Sequence, residues 1–341
     1  LTIAANSADN GGGVAQNAGT VTLDHTIVAT NTISTAGPQC SGTIGSAGYN
    51  VIAVTGGVCT FTPGTGDQTG VAAGIAGLAD NGGPTQTHAL NAVSNSLDVG
   101  GTCSATDQRG VFRGASCDAG AVEAVQINFS PASATHGEFT SQALDVTLDG
   151  SDPNRTITAT VQSTGGTATA GTDYTLAGTA ISFAPGTTSG QNATVNITTD
   201  LVDEGASETA TFGFTGNANA LLGANDAFTL TITDNDTAGI TLTPGSLTFT
   251  EGGAAQTYTL ALSSQPTVAV TVTIGNGSEA SASPASLPFT TGNWDSAQTV
   301  TVTVPDNASA DGTRADAITH ASTSSDSNYS GSWADLDVTI N

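Results

Sequence analysis

Residues 228–236 read Phe228-Thr229-Leu230-Thr231-Ile232-Thr233-Asp234-Asn235-Asp236. Apolar and hydroxyl side chains alternate as far as Ile232, the period-two mark of a strand with one face in a core. The run then ends in an acidic turn. The same pattern precedes it at 127–129, 143–148, 156–161, 180–183, 193–197 and 210–214, with Gly-, Asn- and Asp-rich turns between. About seven such strands predict a β-sandwich over 126–237. The plan repeats at 240–242, 247–249, 258–260, 268–274, 300–304 and 336–340. A second sandwich is therefore expected over 238–341. The joint Asp236-Thr237-Ala238-Gly239 is short, so the two are expected to stack end to end as a stiff rod.

Charge narrows the partners. There are 29 acidic residues against four arginines and no lysine, giving a net charge of −25. Nothing cationic is available to neutralise phosphates, so nucleic acid is excluded as a partner. Docking on anionic lipid is disfavoured for the same reason. The charge fits a cationic ligand, and Ca²⁺, a hard ion that takes oxygen ligands, is the leading one. A saline habitat is the other source of such a composition. No apolar run reaches 18 residues, so no membrane insertion is expected in this segment. The chain lacks Met and a signal peptide, and it starts and stops inside strand-like runs. A mature fragment of a longer precursor is expected.

The four cysteines all precede residue 120. Three connectivities are open. Pairing in sequence, Cys40 with Cys59 and Cys103 with Cys117, closes two short Gly-rich loops and is the expected one. Bridges of this kind imply an oxidising compartment. No Cys-x-x-Cys knuckle suggests a metal instead.

Over residues 1–35, short apolar runs at 1–3, 21–23 and 25–28 recur about every 20–25 residues, as in the coils of a parallel β-helix. Residues 36–125 would close that solenoid with disulfide-tied loops. The segments Gly48-Tyr49-Asn50, Leu78 to Leu90, Asp107-Gln108-Arg109-Gly110 and Cys117 to Glu123 resemble the C-terminal end of the right-handed parallel β-helix surface proteins of the "choice-of-anchor" type. That resemblance implies a secreted or surface-displayed protein, and no known catalysis.

Both sandwiches resemble Calx-beta domains, a calcium-binding module. In the first, the resemblance rests on Gly166-Thr167-Ala168-Thr169-Ala170-Gly171-Thr172-Asp173-Tyr174, on the stretch from Asp200 to Glu208, and on Thr233-Asp234-Asn235-Asp236. In the second it rests on Phe249-Thr250-Glu251-Gly252, on Pro288 to Trp294 leading into Gln298 to Val302, and on Ser327-Asn328-Tyr329. The expected fold is thus all-β: the end of a right-handed parallel β-helix with a disulfide-tied cap (1–125), then two tandem Greek-key β-sandwiches (126–237 and 238–341).

A Ca²⁺ site needs several oxygens converging on one point. Asp173 lies in the Gly-rich loop of the first sandwich. Asp200, Asp203 and Glu204 lie in a turn between two strands, and Asp234 and Asp236 where the last strand leaves. In a Greek-key sandwich these three regions can share one end, where crowded carboxylates repel unless a cation neutralises them. The family usually carries a Glu near the first strand; here His136-Gly137 holds that place, with Glu138 just beyond. In the second sandwich the candidate ligands are Glu251, Asp306 and Asp311. It lacks the Gly-Thr-Asp-Tyr loop and the terminal acidic triplet.

Other residues read as structural. Arg109 is expected to form a buried tie with Asp107 or Asp118 rather than an active site. The four histidines have no metal-ligand spacing, and Trp294 and Trp333 are expected to plug the second core. The expected function is that of a non-enzymatic, extracellular or cell-surface protein, bacterial in character. It would be a calcium-stiffened rod for display, adhesion or assembly into a homo-oligomer, filament or matrix, with cell-surface or matrix glycans as partners. The alternatives are the accessory end of a secreted β-helix polysaccharide lyase or hydrolase, or a carbohydrate-binding module.

Overall fold

The computed structural model describes residues 1–36, 39–53, 59–205, 207–307, 309 and 311–341. Its regular elements are strands, with one 3-10 turn at Ser327–Tyr329. The all-β expectation holds. Among the described residues no helix is long and apolar enough to cross a membrane. The chain divides into two compact units. The first comprises Leu1–Ala134, Ser141–Asn196 and Thr209–Leu230; the second comprises Thr135–Thr140, Ile197–Glu208 and Thr231–Asn341.

The first unit opens with strands paired in parallel. Thr2–Ala4 lies on Ile27–Ala29, which lies on Val51–Ile52, which lies on Gln68–Thr69. Neighbouring residues of these strands bury on opposite sides. Ile27 and Val51 join one apolar cluster with Ala73, Leu90 and Ala119. Val28 and Ile52 join another with Leu23, Cys40 and Ile44. A strand covered on both faces needs consecutive apolar residues rather than alternation, which is why Ile27-Val28 and Val51-Ile52 occur as pairs. The long strand Cys40–Gly48 pairs in parallel with Val14–Ala15, Val21–Asp24 and Cys59–Phe61. Both expected disulfides, Cys40–Cys59 and Cys103–Cys117, are formed.

Beyond the hairpin Ile75–Ala79 and Thr87–Leu90, regular structure gives way to a buried ionic knot. The Arg109 Nε donates to Asp107 at 2.9 Å, and its Nη1 lies 3.8 Å from Asp152. Arg113 donates to Glu123 at 2.9 Å and to the carbonyls of Asp118 and Gly120. Both arginines are nearly fully buried, so each must satisfy several donors at once. The expected tie of Arg109 therefore runs to Asp107. The Asp118 carboxylate instead accepts the backbone N–H groups of Asp98 and Ala124. Burial and the nearby Glu123 push Asp118 up to about 7, and burial pushes Asp149 up to about 6. These raised acids favour the fold in acid and lose that contribution as pH climbs from about 4 towards 7.

The sandwich that follows has two five-stranded sheets. One orders Tyr174–Ala177, Gln191–Ile197, Ser141–Leu148, Gln126–Phe129 and Leu221–Leu222. The other orders Ser133–Gly137, Ala227–Thr233, Glu208–Ala218, Ile157–Gly166 and Ala180–Phe183. Phe129, Leu144, Val146, Phe212, Phe228 and Leu230 fill the space between them without exposure. Phe129 stacks on Phe214 at 4.2 Å between ring centres.

The second unit contains the other sandwich. One sheet orders Ile240–Thr243, Gln256–Leu262, Gln298–Thr303 and Ser281–Ser283. The opposing sheet orders Ser246–Phe249, Leu336–Ile340, Arg314–Thr323, Val270–Gly275 and Ser286–Phe289. Trp294 and Trp333 pack against its core, as expected. Sequence reading passes over the central strand Arg314–Thr323, whose inward residues include Ile318, His320 and Ser322. His320 is 2 % exposed. Its Nε2 accepts from the Tyr258 hydroxyl at 2.8 Å while Nδ1–H donates to the Ala334 carbonyl at 2.9 Å.

Burial holds His320 below the ordinary imidazole range. The unfolded chain therefore takes up a proton near pH 6.5 that the folded site resists. Stability of the second sandwich is full above that pH and falls as pH drops through it. Trp294 and Trp333 are the only tryptophans, so their fluorescence follows this sandwich alone. The midpoint of fluorescence-detected unfolding is expected to fall between pH 7.5 and 5.5, and His320→Gln is expected to flatten that slope.

Candidate metal centre

The second unit also gathers the ends of three chain segments that carry acids. The short strand Ser133–Gly137 runs into Glu138. The strand Ala227–Thr233 runs into Asp234-Asn235-Asp236, and the segment after Gln191–Ile197 carries Asp200, Asp203 and Glu204. Glu138 N donates to the Thr233 carbonyl at 3.3 Å, which holds the first two segments side by side. Ile197 N donates to the Thr140 carbonyl at 3.0 Å and holds the third against the first. Strand pairing thus continues just far enough to bring the acidic ends together.

Carboxylate oxygens of Glu138, Asp234 and Asp236 all lie within 4.8 Å of one another. Two ligands of a single Ca²⁺, each about 2.3–2.6 Å from the ion, can lie as much as about 5 Å apart. The spacing therefore fits. Glu138 is buried at 9 % exposure. Its Oε2 accepts from Asn235 Nδ2 at 3.2 Å. Burial raises its pKa first, followed by the charges of Asp200, Asp234 and Asp236. Burial likewise raises Asp236, followed by Asp234, Asp200 and Asp203. The charges that raise these two acids are those of neighbouring aspartates.

Asp236 Oδ2 is buried and has no hydrogen-bond partner among the described residues. A buried acceptor without a donor loses its hydration and regains nothing in exchange. The other acids are partly engaged with backbone. Asp234 accepts from the N–H groups of Asp236, Glu204 and Gly205. Asp200 accepts from Val202 N at 2.8 Å. Asp203 accepts from Gly205 N and, at 2.6 Å, from Ala238 N. Its carbonyl accepts from Asn328 Nδ2 at 2.5 Å, and the Leu201 carbonyl accepts from Gln265 N at 2.5 Å. The loop that carries three of the acids is thereby tied to the second sandwich.

The residues read from sequence distribute unevenly. Asp200, Asp203, Asp234 and Asp236 act on one shared locality. Glu204 contributes its backbone N–H to Asp234, while its side chain is exposed. The Asp173 carboxylate accepts from Thr169 N at 2.5 Å, and Asp173, Glu204 and Glu208 form a second group whose carboxylate oxygens lie within 4.8 Å of one another. Glu138 is the candidate that the sequence left undecided. It follows a short strand as Glu251 follows Ser246–Phe249 in the second sandwich, and that shared position is the signal that identifies it.

At the corresponding end of the second sandwich, Glu251, Asp306 and Asp311 do not form such a group. Glu251 accepts from Asn307 N at 3.0 Å and lies 3.2 Å from the Arg314 guanidinium. Asp311 accepts from Asn307 Nδ2 at 3.1 Å and lies 3.9 Å from Arg314. Asp306 is exposed.

The fold and the acidic end describe a β-sandwich with carboxylates gathered at its strand ends. Residues 121–236 match the family model of the Calx-beta domain. No curated protein matches the chain. Among solved structures, CBD12 from CALX1.2 is 18 % identical over 63 % of this chain and 100 % of its own, with a TM-score of 0.33. The apo-form Calx CBD1 domain is 24 % identical over 33 % of this chain and all of its own, with a TM-score of 0.31. The calcium binding domain CBD12 of CALX1.1 is 19 % identical over 57 % of this chain and 79 % of its own, with a TM-score of 0.33.

Without metal, the raised pKa values of Glu138 and Asp236 mean that the folded end holds protons better than the unfolded chain. In chelator, this contribution is present in acid and is lost as pH rises from about 4. Asp236→Asn removes one like charge and supplies a donor. It is expected to stabilise the chelated protein at pH 7 by no more than about 1 kcal/mol, measured by urea unfolding followed through far-UV circular dichroism.

Proposed function

We propose that Glu138, Asp234 and Asp236, with Asp200 and Asp203 beside them, bind Ca²⁺, and that the ion braces the segment joining the first sandwich to the second. The unpartnered buried oxygen of Asp236 carries this reading. A hard divalent cation gives it a ligand bond and offsets the repulsion among the surrounding acids. The Calx-beta match over 121–236 supports the same chemistry.

The chain as a whole acts as a calcium-braced structural or adhesive element of an extracellular surface protein, used for display, adhesion or assembly. It has no catalytic role of its own. Residues 1–125 are the closing coils and cap of a right-handed parallel β-helix, followed by sandwiches at 126–237 and 238–341. Stacked parallel pairs from Thr2–Ala4 to Gln68–Thr69 support the first part. Two disulfides support an oxidising location.

Calcium at about 100 times its Kd is expected to stabilise the folded chain by about 2.7 kcal/mol. Differential scanning calorimetry of the intact chain in Ca²⁺ and in chelator measures this. The double variant Asp234→Asn, Asp236→Asn is expected to abolish the difference. An unchanged melting profile in Ca²⁺ overturns the reading.

A further inference from the structure

The two sandwiches share one topology, and their acidic ends differ in one sign of charge. In the first, the central strand of the sheet that contains Ser133–Gly137 is Glu208–Ala218. In the second, the strand at the same place in the sheet order is Arg314–Thr323. An acid opens one strand and an arginine opens the other.

Arg314 sits among the acids of its own end. Its Nε and Nη2 donate to the two carboxylate oxygens of Glu279 at 2.6 and 2.5 Å, a bidentate fork. The same Nη2 lies 3.2 Å from Glu251 and 3.9 Å from Asp311. Its Nη1 donates to the Gly312 carbonyl at 3.2 Å. The guanidinium thus meets acids from the turn after Ser246–Phe249, from the segment after Val270–Gly275, and from the loop before its own strand. It holds Glu279 below the ordinary carboxylate range. A fixed planar cation with directed donors satisfies converging carboxylates without any ion from solution.

We infer that Arg314 is the resident counter-ion of the second sandwich, taking the place of a metal at Glu251 and Asp311 and leaving that end closed at any calcium concentration. The inference is independent of calcium at Glu138. With calcium at Glu138, the second sandwich serves as a metal-free support.

Isothermal titration of the intact chain with Ca²⁺ tests this. Glu251→Gln and Asp311→Asn, each in the otherwise natural chain, are expected to leave stoichiometry unchanged and Kd within about twofold. Loss of a bound ion in either variant overturns the inference. Arg314→Gln is expected to gain an additional binding event, which Glu251→Gln then removes. A folded Arg314→Gln protein with the parent isotherm also overturns it. If Arg314→Gln fails to fold by tryptophan fluorescence, the two acid variants decide alone. If the natural chain binds no calcium but Arg314→Gln does, the reading of the Glu138 site falls while the role of Arg314 stands.

Discussion

Like charges forced together at strand ends are the constraint on which the rest of the structure turns. Pairing within the sheets fixes where Glu138, Asp234 and Asp236 emerge, and it fixes them within a few ångströms of each other. No lysine exists in the chain and the four arginines are all placed elsewhere. The acids cannot move apart without breaking the pairing that positions them. Their charge must therefore be met by protonation or by a cation from outside.

Three of the acidic localities meet this constraint differently. In the first unit, Asp107, Asp152 and Glu123 are paired with buried arginines, and Asp118 is held by backbone N–H groups. At the end of the second sandwich, Arg314 spans three acids. The Glu138 group has neither arrangement, and there the buried Oδ2 of Asp236 is left without a donor among the described residues. The scarcity of basic residues makes their positions informative. The arginines sit at acid clusters other than Glu138, Asp234 and Asp236, which leaves that group a candidate for calcium.

Much of the sandwich fold was legible in the sequence because strand burial leaves a period-two trace. Phe228 to Ile232 and Val300 to Val304 show it plainly. Two of the strands that escaped notice carry inward residues that are not strongly apolar: His136 and Ala134 in Ser133–Gly137, and His320 and Ser322 in Arg314–Thr323. Their burial depends on partners supplied by other strands, such as Tyr258 for His320, and no local pattern reveals such a partner. Disulfide pairing was legible because each pair closes a short loop. At the site, Asp200, Asp203, Asp234 and Asp236 could be read from the turns that carry them. Glu138 depends on the register between two segments almost a hundred residues apart, and the neutralising role of Arg314 depends on three separate segments converging. Sequence spacing encodes neither.

The most direct test is a crystal structure of the intact chain grown with Ca²⁺ and refined with anomalous scattering data. The account requires an ion coordinated by Glu138, Asp234 and Asp236, with the Asp236 Oδ2 among its ligands. An ordered, empty acidic end at saturating calcium, or an ion held by Glu251 and Asp311 with Arg314 displaced, would contradict it.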